Sequence, residues 1–250
     1  MLRIRADTIA TLAGDENRRL IFPKSLSITD EQWKQIGPFK EMVVLSPSGW
    51  KEMVRNVPDA TSDTEVVSVS MNRKRGPILV LAGLKFRGNI GTIVRAAVQA
   101  NAFEKIVLID ERETRVMETP CASKKWEGGK TGSATMEDIY YYSMFNGPLI
   151  PILRFDTVDD FLATVDPTRP FVAIELGDKS INLYSKQALD VLKTVGDDMY
   201  LVIGAEDCGV PSLLVSKTKY MFEIPSMSAS INVSCAFMAC LSTYLIARNL

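Results

Sequence analysis

From residue 78 onward, short apolar runs alternate with segments of helical periodicity. Residues 78–84 form a continuous apolar run, which is typical of a strand buried on both faces of a parallel sheet. In residues 89–101 the apolar side chains recur every three or four positions, which predicts an amphipathic helix. Repetition of this pattern predicts an α/β fold with a mostly parallel sheet and helices on both faces. Further strands are predicted at residues 105–110, 149–154, 170–176, 200–205 and 220–224, and further helices at residues 157–165, 183–195, 210–216 and 231–248.

The first 75 residues are more polar and only weakly periodic. A basic triplet, Arg73, Lys74 and Arg75, precedes Gly76 and Pro77 and predicts a domain boundary. We therefore expect an N-terminal extension over residues 1–76 and a main domain over residues 77–250. Within the extension, helices are predicted at residues 30–36 and 49–54 and strands at 41–45 and 66–69, whereas residues 111–143 of the main domain are predicted to be irregular.

The composition narrows the chemistry. The chain contains no histidine, which excludes Ser-His-Asp and Cys-His mechanisms. The net charge is −1, so any contact with RNA must use local basic patches. The spacing of the four cysteines matches no metal-binding motif, which predicts neither a metal site nor a disulfide framework. Reduced thiols favour a cytoplasmic protein, and an organelle remains the alternative. These cysteines are Cys121, Cys208, Cys235 and Cys240.

Two loops of small residues follow consecutive predicted strands. One begins at Gly204, and the other follows Pro225 and leads into a helix at Ile231. Because parallel strands end at the same edge of a sheet, we expect both loops to line one pocket. Dinucleotide and nucleoside-triphosphate binding are disfavoured. No GxGxxG motif occurs, and the P-loop-like Gly129-Lys130 has Lys124 where that motif requires glycine.

The last predicted helix is apolar on almost every side. A membrane span is one interpretation, but polar residues such as Asn232 and Ser242 interrupt the helix and it is barely long enough to span. Burial on both faces is the better interpretation. One face would contact the sheet and the other a second subunit, which predicts a homodimer without membrane contact.

Three short motifs occur in order along this pattern. They are Asn89-Ile-Gly-Thr-Ile-Val-Arg95, Ile203-Gly-Ala-Glu206-Asp-Cys-Gly-Val-Pro211, and Ile224-Pro225 followed by Ser230-Ile-Asn232-Val. Together they resemble the motifs of the SPOUT methyltransferases, in the SpoU (TrmH-like) branch that methylates ribose 2′-oxygens of RNA. The resemblance covers about residues 77–248. It implies a C-terminal trefoil knot, S-adenosylmethionine as cofactor, tRNA or rRNA as substrate, and a homodimer.

The resemblance also implies roles for individual residues. The shortened loop at residues 226–229, with Ser-Met-Ser after the proline, departs from the family pattern and bears on the shape of the cofactor loop. Backbone groups of Ile174, Glu175, Ile203, Gly204, Ala205, Ile224, Ser230 and Ile231 would hold the cofactor. The catalytic set would be Asn89, Arg95, Glu206, Ser230 and Asn232.

The role of Arg95 has two interpretations. Taken alone, it is a solvated residue about 130° from the apolar stripe of its helix. In the family it has been assigned as general base, but deprotonating an ordinary arginine at neutral pH costs about 8 kcal/mol. We therefore expect Arg95 to grip a substrate phosphate and orient the ribose.

RNA contacts are expected from lysines and arginines outside the three motifs. A small α/β RNA-recognition domain over residues 1–76 is one hypothesis. Methylation of a base, and a knotted module that binds RNA or protein without turnover, are the alternatives. The predicted RNA-binding residues are Arg73, Lys74, Arg75, Lys124, Lys125 and Lys130.

Overall fold

The computed structural model describes residues 2–4, 17–30, 33, 36, 39–57, 66–71, 75–111, 134–225 and 231–249. Within these residues, the strands form one sheet of four and one sheet of seven. The smaller sheet contains only strands from the first 70 residues, and the larger one contains only strands from residue 78 onward. The division of the chain into domains at residue 76 stays a prediction.

The four-stranded sheet is mixed. Its strands are β1 (Leu2–Ile4), β2 (Arg18–Pro23), β3 (Glu41–Leu45) and β4 (Val66–Ser70), in the order β1-β4-β2-β3, and helix α1 (Pro47–Arg55) follows β3. Strands β2 and β3 are parallel, whereas β4 runs antiparallel to both β1 and β2. The predicted strands at 41–45 and 66–69 and the helix at 49–54 are confirmed. Asp30, Trp33 and Ile36 of the predicted first helix are helical.

Strand β2 was not predicted, because it begins with two arginines. Arg19 is 1% exposed, and each of its three guanidinium nitrogens donates at least one hydrogen bond. Its Nε and Nη2 donate to Glu41 Oε2 at 3.0 and 2.8 Å, and its Nη1 donates to the carbonyls of Pro148 and Ile150 at 2.7 and 3.0 Å. A buried arginine is tolerated when its donors are paired in this way. Arg19 therefore joins the small sheet to the segment that precedes the seventh strand.

The large sheet confirms the predicted fold class. It has seven strands in the order β7-β6-β5-β10-β8-β11-β9, and every neighbouring pair is parallel. Side chains alternate between two buried clusters, with Leu79 and Leu81 in one and Ile78 and Val80 in the other, so the sheet is covered on both faces. The strands are β5 (Ile78–Ala82), β6 (Lys105–Ile109), β7 (Ile152–Phe155), β8 (Phe171–Ile174), β9 (Ile181–Asn182), β10 (Tyr200–Ile203) and β11 (Thr218–Glu223).

Among the described residues, six α-helices accompany this sheet. They are α2 (Arg87–Ala100), α3 (Met136–Tyr142), α4 (Val158–Leu162), α5 (Lys186–Val195), α6 (Ser212–Lys217) and α7 (Val233–Asn249). Residues of α2, α5 and α7 share one core cluster, whereas residues of α4 and α6 belong to the cluster on the opposite face. The short strand β9 was not predicted. The trefoil knot stays a prediction.

Helix α3 corrects the expectation that residues 111–143 are irregular; residues 112–133 lie outside the described part. Thr135 caps the helix, accepting from Asp138 N at 3.1 Å while Asp138 Oδ2 accepts from Thr135 N at 2.9 Å. This Thr-x-x-Asp spacing is a helix-start signal that was present in the sequence. The signal was missed because the segment that follows is dominated by tyrosines rather than by a periodic aliphatic stripe.

Helix α7 buries one face. Phe237, Cys240 and Tyr244 are fully buried, whereas Met238 and Ile246 on other sides of the helix are 43% and 54% exposed. The predicted packing of one face against the rest of the main domain is therefore confirmed. Among the described helices, none is both long and apolar enough to cross a membrane.

Candidate active site

The central strands of the large sheet end at a common edge. Strands β5, β10, β8 and β11 are consecutive neighbours and all parallel, so the loops that follow them lie side by side. The chain also changes direction here, because β6 and β7 lie beyond β5 whereas β8 lies beyond β10. Ligands of open α/β sheets bind at such a switch point.

Four residues from three separate segments of the chain form a continuous hydrogen-bonded group at this edge, which we call the polar cluster: Lys85, Asn89, Glu206 and Asn232. Glu206 Oε2 accepts from the backbone N–H of Lys85 at 3.0 Å, and its Oε1 accepts from Asn89 Nδ2 at 2.7 Å. Asn89 Oδ1 in turn accepts from Asn232 Nδ2 at 3.3 Å. The polar cluster thus ties together the loop after β5, the loop after β10 and the start of α7.

Asn232 has a second task in the same position. Its Oδ1 accepts from the backbone N–H of Ser234 at 3.0 Å and from the Ser234 hydroxyl at 2.6 Å. An asparagine that accepts from the second residue of a helix is a favourable N-cap. The same side chain therefore starts α7 and donates to Asn89.

The loop after β10 turns tightly. The backbones of Ala205 and Gly209 exchange two hydrogen bonds of 2.9 Å, and Gly209 has φ +69°. A Cβ atom on Gly204 would lie 2.1 Å from backbone atoms of Gly209 and Val210, so no larger residue fits there. The carboxylate of Glu175, from the loop after β8, accepts from Val210 N at 2.6 Å. Glu175 therefore fixes the shape of the loop that carries Glu206.

Arg95 lies on α2 but outside the polar cluster. Its side chain is exposed, on the face of α2 opposite the buried Ile90, Ile93 and Val94. The Arg95 side chain makes no ion pair or hydrogen bond with another residue in the described part of the chain. Its guanidinium is consequently available to a group that does not belong to this chain's described residues.

The residues predicted to hold a cofactor lie around the same edge. Ile203, Gly204 and Ala205 are buried, Ile174, Glu175 and Ile224 are partly buried, and Ile231 is 39% exposed. The backbone N–H of Glu175 is used by the Phe222 carbonyl, and both backbone groups of Ala205 are used within the turn. Ser230, predicted for both cofactor binding and catalysis, lies outside the described residues, as does the shortened loop at 226–229.

The predicted RNA-binding residues are not brought to this edge where they can be located. Arg75 precedes β5 and forms a two-bond ion pair with Asp198, at 2.9 Å for each bond, beside the start of β10. It therefore lies at the opposite end of the sheet from the polar cluster. The other five, Arg73, Lys74, Lys124, Lys125 and Lys130, lie outside the described residues.

Sequence reasoning missed three contributors to the site. The backbone N–H of Lys85, the carboxylate of Glu175 and the hydroxyl of Ser234 all make the hydrogen bonds given above. The position of Lys85, between a buried strand and the helix of Asn89, was the available signal. In the described part of the chain, no group of three or more Cys, Asp or Glu side chains is placed to hold a metal ion.

Known proteins of one family are similar to this chain. The model of the SpoU rRNA Methylase family matches residues 76–242. The SpoU methyltransferase AviRb from Streptomyces viridochromogenes, solved with AdoMet, is similar at 18% identity and TM-score 0.52, covering 98% of this chain and 88% of that one. The A. aeolicus TrmH/SpoU tRNA modifying enzyme is similar at 20% identity and TM-score 0.52, covering 71% and 78%.

An RNA 2′-O ribose methyltransferase is similar at 17% identity and TM-score 0.51, covering 98% of this chain and 87% of that one. No curated protein sequence matches the chain. The structural likenesses confirm the fold, and the family model covers all of the large sheet together with the three motifs. This chain belongs to the SpoU rRNA methylase family, a family of RNA methyltransferases.

Proposed function

We propose that the chain is an S-adenosylmethionine-dependent RNA methyltransferase that acts on ribose 2′-oxygens. The polar cluster is the observation that carries this proposal. Glu206, Asn89 and Asn232 come from three separate motifs, yet they form one hydrogen-bonded chain at the edge where ligands of this fold bind. A structural role alone would not require polar residues of all three motifs to meet at one point.

The edge suits the proposed cofactor. Ile174 ends β8 and Ile224 directly follows β11, and these two partly buried side chains offer apolar surface beside small residues, as an adenosine requires. The carboxylates of Glu175 and Glu206 lie at the same edge and favour a cationic ligand. Bound S-adenosylmethionine supplies a methyl group on a sulfonium, which needs no further activation. The chain's own task is then to place an oxygen in line with that methyl group and to let its proton leave.

Arg95 would supply the placement. An exposed guanidinium on α2 can bind a phosphate of the RNA backbone through two parallel hydrogen bonds, which fixes the adjacent ribose. The polar cluster would hold the start of α2 against the cofactor loops while the substrate binds. Ser230 belongs to the same proposed site through its motif.

The substrate class proposed for the chain is structured RNA, either tRNA or rRNA. The matched family is named for rRNA methylation, and one of the similar structures is a tRNA modifying enzyme. The N-terminal extension would assist in RNA recognition, and the rigid contact of Arg19 with the segment before β7 would hold it in place. Cys235 and Cys240 are free thiols, which supports our proposal of a cytoplasmic protein.

A homodimer through α7 completes the proposal. Met238 and Ile246 expose apolar surface on the side of α7 away from the core, and α7 packs beside α2, which carries Arg95. A second subunit on this face would bury that surface beside the helix that carries Arg95. We expect wild type to sediment as a dimer and Met238→Glu to shift it towards monomer. Leu213→Glu is the control, because Leu213 is similarly exposed at 40% but lies on α6, on the opposite face of the sheet, and its substitution should leave the dimer intact.

One experiment tests the proposed reaction. Purified protein is incubated with radiolabelled S-adenosylmethionine and RNA transcribed in vitro, and the product is digested to nucleosides. We expect label in 2′-O-methylnucleosides. Label in a modified base would show that the protein methylates a base and not the ribose. Calorimetric binding of the cofactor without transfer to any RNA would instead favour the non-catalytic alternative.

A further inference from the structure

Two adjacent tyrosines at the end of α3 are exposed in the described structure. Tyr141 is 64% exposed and Tyr142 is 45% exposed, and their ring centroids lie 5.2 Å apart at an interplanar angle of 86°. The preceding Tyr140 is only 9% exposed and belongs to the core below the small sheet. The exposed pair is therefore presented by a helix whose other face is firmly buried.

The platform under the two tyrosines is rigid. Asp138 of α3 pairs with Arg87 at the start of α2 at 2.9 Å, and hydrogen bonds from Thr135, aided by Arg87, hold the pKa of Asp138 below its usual value. After the helix, Met144 and Phe145 both have positive φ, an uncommon conformation for such residues. Their turn is fixed by a 2.7 Å bond from Phe145 N to the Tyr140 carbonyl. A rigid support lowers the entropy cost of using exposed rings for binding.

The tyrosines lie next to the helix that carries Arg95. A Cβ atom on Gly91 would lie 2.3 Å from Tyr142 Cβ, so α2 and the end of α3 are in backbone contact there. Arg95 follows Gly91 by one helical turn, and it is exposed. Arg95 therefore lies about one helical turn from the point where the end of α3, which carries the two exposed rings, contacts α2.

This combination matches one kind of ligand. RNA segments outside duplexes are bound by aromatic rings that stack on the bases, together with cationic groups on the phosphates. A peptide would use the rings but has no phosphate for Arg95, and a duplex would not offer its base faces. A further copy of this chain would need apolar surface rather than an exposed arginine beside the rings.

We propose that Tyr141 and Tyr142 form a stacking platform for an unpaired nucleotide next to the methylated position. The substrate segment is then a loop, bulge or single strand rather than a duplex. This inference rests on the proposed RNA methylation and adds which kind of RNA segment the protein selects. Neither tyrosine takes part in the methyl transfer itself.

The test compares a double variant, Tyr141→Ser with Tyr142→Ser, with a control, Tyr184→Ser, whose side chain is similarly exposed at 61% but follows β9 at the far edge of the sheet. Binding to a fluorescently labelled single-stranded RNA of mixed sequence is measured by anisotropy, and the same RNA is then offered as a duplex. We expect the double variant to bind the single strand about 10-fold or more weakly, with Tyr184→Ser unchanged. The duplex should bind poorly to all three proteins.

Two further measurements separate stacking from other roles. Tyr141→Phe with Tyr142→Phe should restore single-strand binding, and in the methylation assay the serine variant should raise KM for RNA much more than it lowers kcat. Unchanged single-strand binding in the serine variant would refute the platform even if wild type methylates RNA. The serine variant could instead lose dimerisation while its remaining dimers bind RNA as tightly as wild type. That result would assign the rings to a contact between subunits. If wild type transfers no methyl group, the proposed function fails, while the binding comparison still decides the role of the tyrosines.

Discussion

Asn89 and Arg95 belong to the same helix and to the same motif, yet their surroundings differ completely. Both polar atoms of the Asn89 amide are used, one by Glu206 and one by Asn232. Arg95 makes no ion pair with any residue of the described ranges and projects into solvent. Six residues of α-helix separate them, which is about 9 Å along the axis and about 120° around it.

The difference indicates two kinds of site residue. Asn89 and its partners hold the chain's own loops together, so their geometry is set when the protein folds. The Arg95 side chain has no partner among the described residues, so it keeps its hydration and its freedom of movement, and we expect a bound substrate to engage it. Substitutions that disturb the loops of the polar cluster should therefore change stability and activity together, whereas substitutions of Arg95 should change activity alone.

The largest effect is expected from Gly204→Ala, which disturbs the loop on which the polar cluster depends. The added Cβ atom would lie 2.1 Å from backbone atoms of Gly209 and Val210, and backbone cannot move aside as a flexible side chain can. We expect a loss of about 3 kcal/mol of unfolding free energy, measured by chemical denaturation, and loss of cofactor binding by calorimetry.

Gly88→Ala is the matched control for that substitution. A Cβ atom on Gly88 would meet nothing within 4 Å, and alanine is a better helix former than glycine. Stability should stay the same or rise by about 0.5 kcal/mol. Equal effects of the two substitutions would show that the loop after β10 is not the constraint that the structure implies.

Arg95→Ala should separate the two kinds of residue most clearly. Its removal leaves no buried group unpaired, so we expect the unfolding free energy to change by less than about 0.5 kcal/mol. Loss of a charge-assisted bond to RNA should lower kcat/KM by about 10-fold to 100-fold. Thr92→Ala, on the same exposed side of α2, should leave both quantities unchanged.

Arg95→Lys refines the same experiment. Lysine keeps the charge but cannot make the two parallel bonds of a guanidinium, so it should recover only part of the activity. Full activity of the lysine variant would contradict the two-bond grip on phosphate. A large loss of stability in Arg95→Ala would contradict the comparison itself.

The sequence was sufficient for most elements of the main domain, because apolar runs and helical periodicity report burial directly. It was not sufficient for β2, whose buried Arg19 is acceptable only because Glu41 and two carbonyls lie around it. Glu41 lies 22 positions away and the two carbonyls lie more than 100 positions away, so these contacts leave no local pattern. Helix α3 did leave one, in Thr135 and Asp138, although its tyrosines do not form an aliphatic stripe.

The site was predictable in part for a similar reason. The resemblance placed Asn89, Glu206 and Asn232 in one site, and the structure brings these three together. It did not indicate that Glu175 would act through its carboxylate on Val210, since that contact depends on how two parallel strands are aligned. Nor did it indicate that Arg75 would be paired with Asp198 at the opposite end of the sheet.

A smaller effect than that of Gly204 is expected from Glu206→Gln. Glutamine keeps the size of the side chain but has one oxygen, whereas Glu206 uses both carboxylate oxygens as acceptors. Its amide nitrogen would face either Asn89 Nδ2 or the Lys85 N–H, donor against donor. We expect a loss of about 1–2 kcal/mol in unfolding free energy together with lower methyl transfer.

Asp207→Asn controls for the loss of a charge at this loop. Asp207 is exposed, and its carboxylate lies 3.7 Å from Lys85 Nζ, a surface pair of little energetic weight. It should change stability by less than about 0.5 kcal/mol. If both amide variants behave alike, charge near the cofactor matters more than the hydrogen bonds of Glu206.

The smallest effect is expected from Asn232→Asp, which divides the two tasks of that residue. Aspartate still accepts from Ser234 N and caps α7, and its charge suits a helix N-terminus, so stability should fall by less than about 0.5 kcal/mol. It cannot donate to Asn89 Oδ1, and Asn89 cannot turn its amide around without placing its oxygen against Glu206. Asn232→Ala removes both tasks and should cost about 1 kcal/mol in thermal or chemical unfolding. Methyl transfer by Asn232→Asp is the decisive measurement. Activity equal to wild type would show that the bond from Asn232 to Asn89 is not needed for catalysis. A clear decrease at nearly unchanged stability would show that the bond between the two asparagines belongs to the working site.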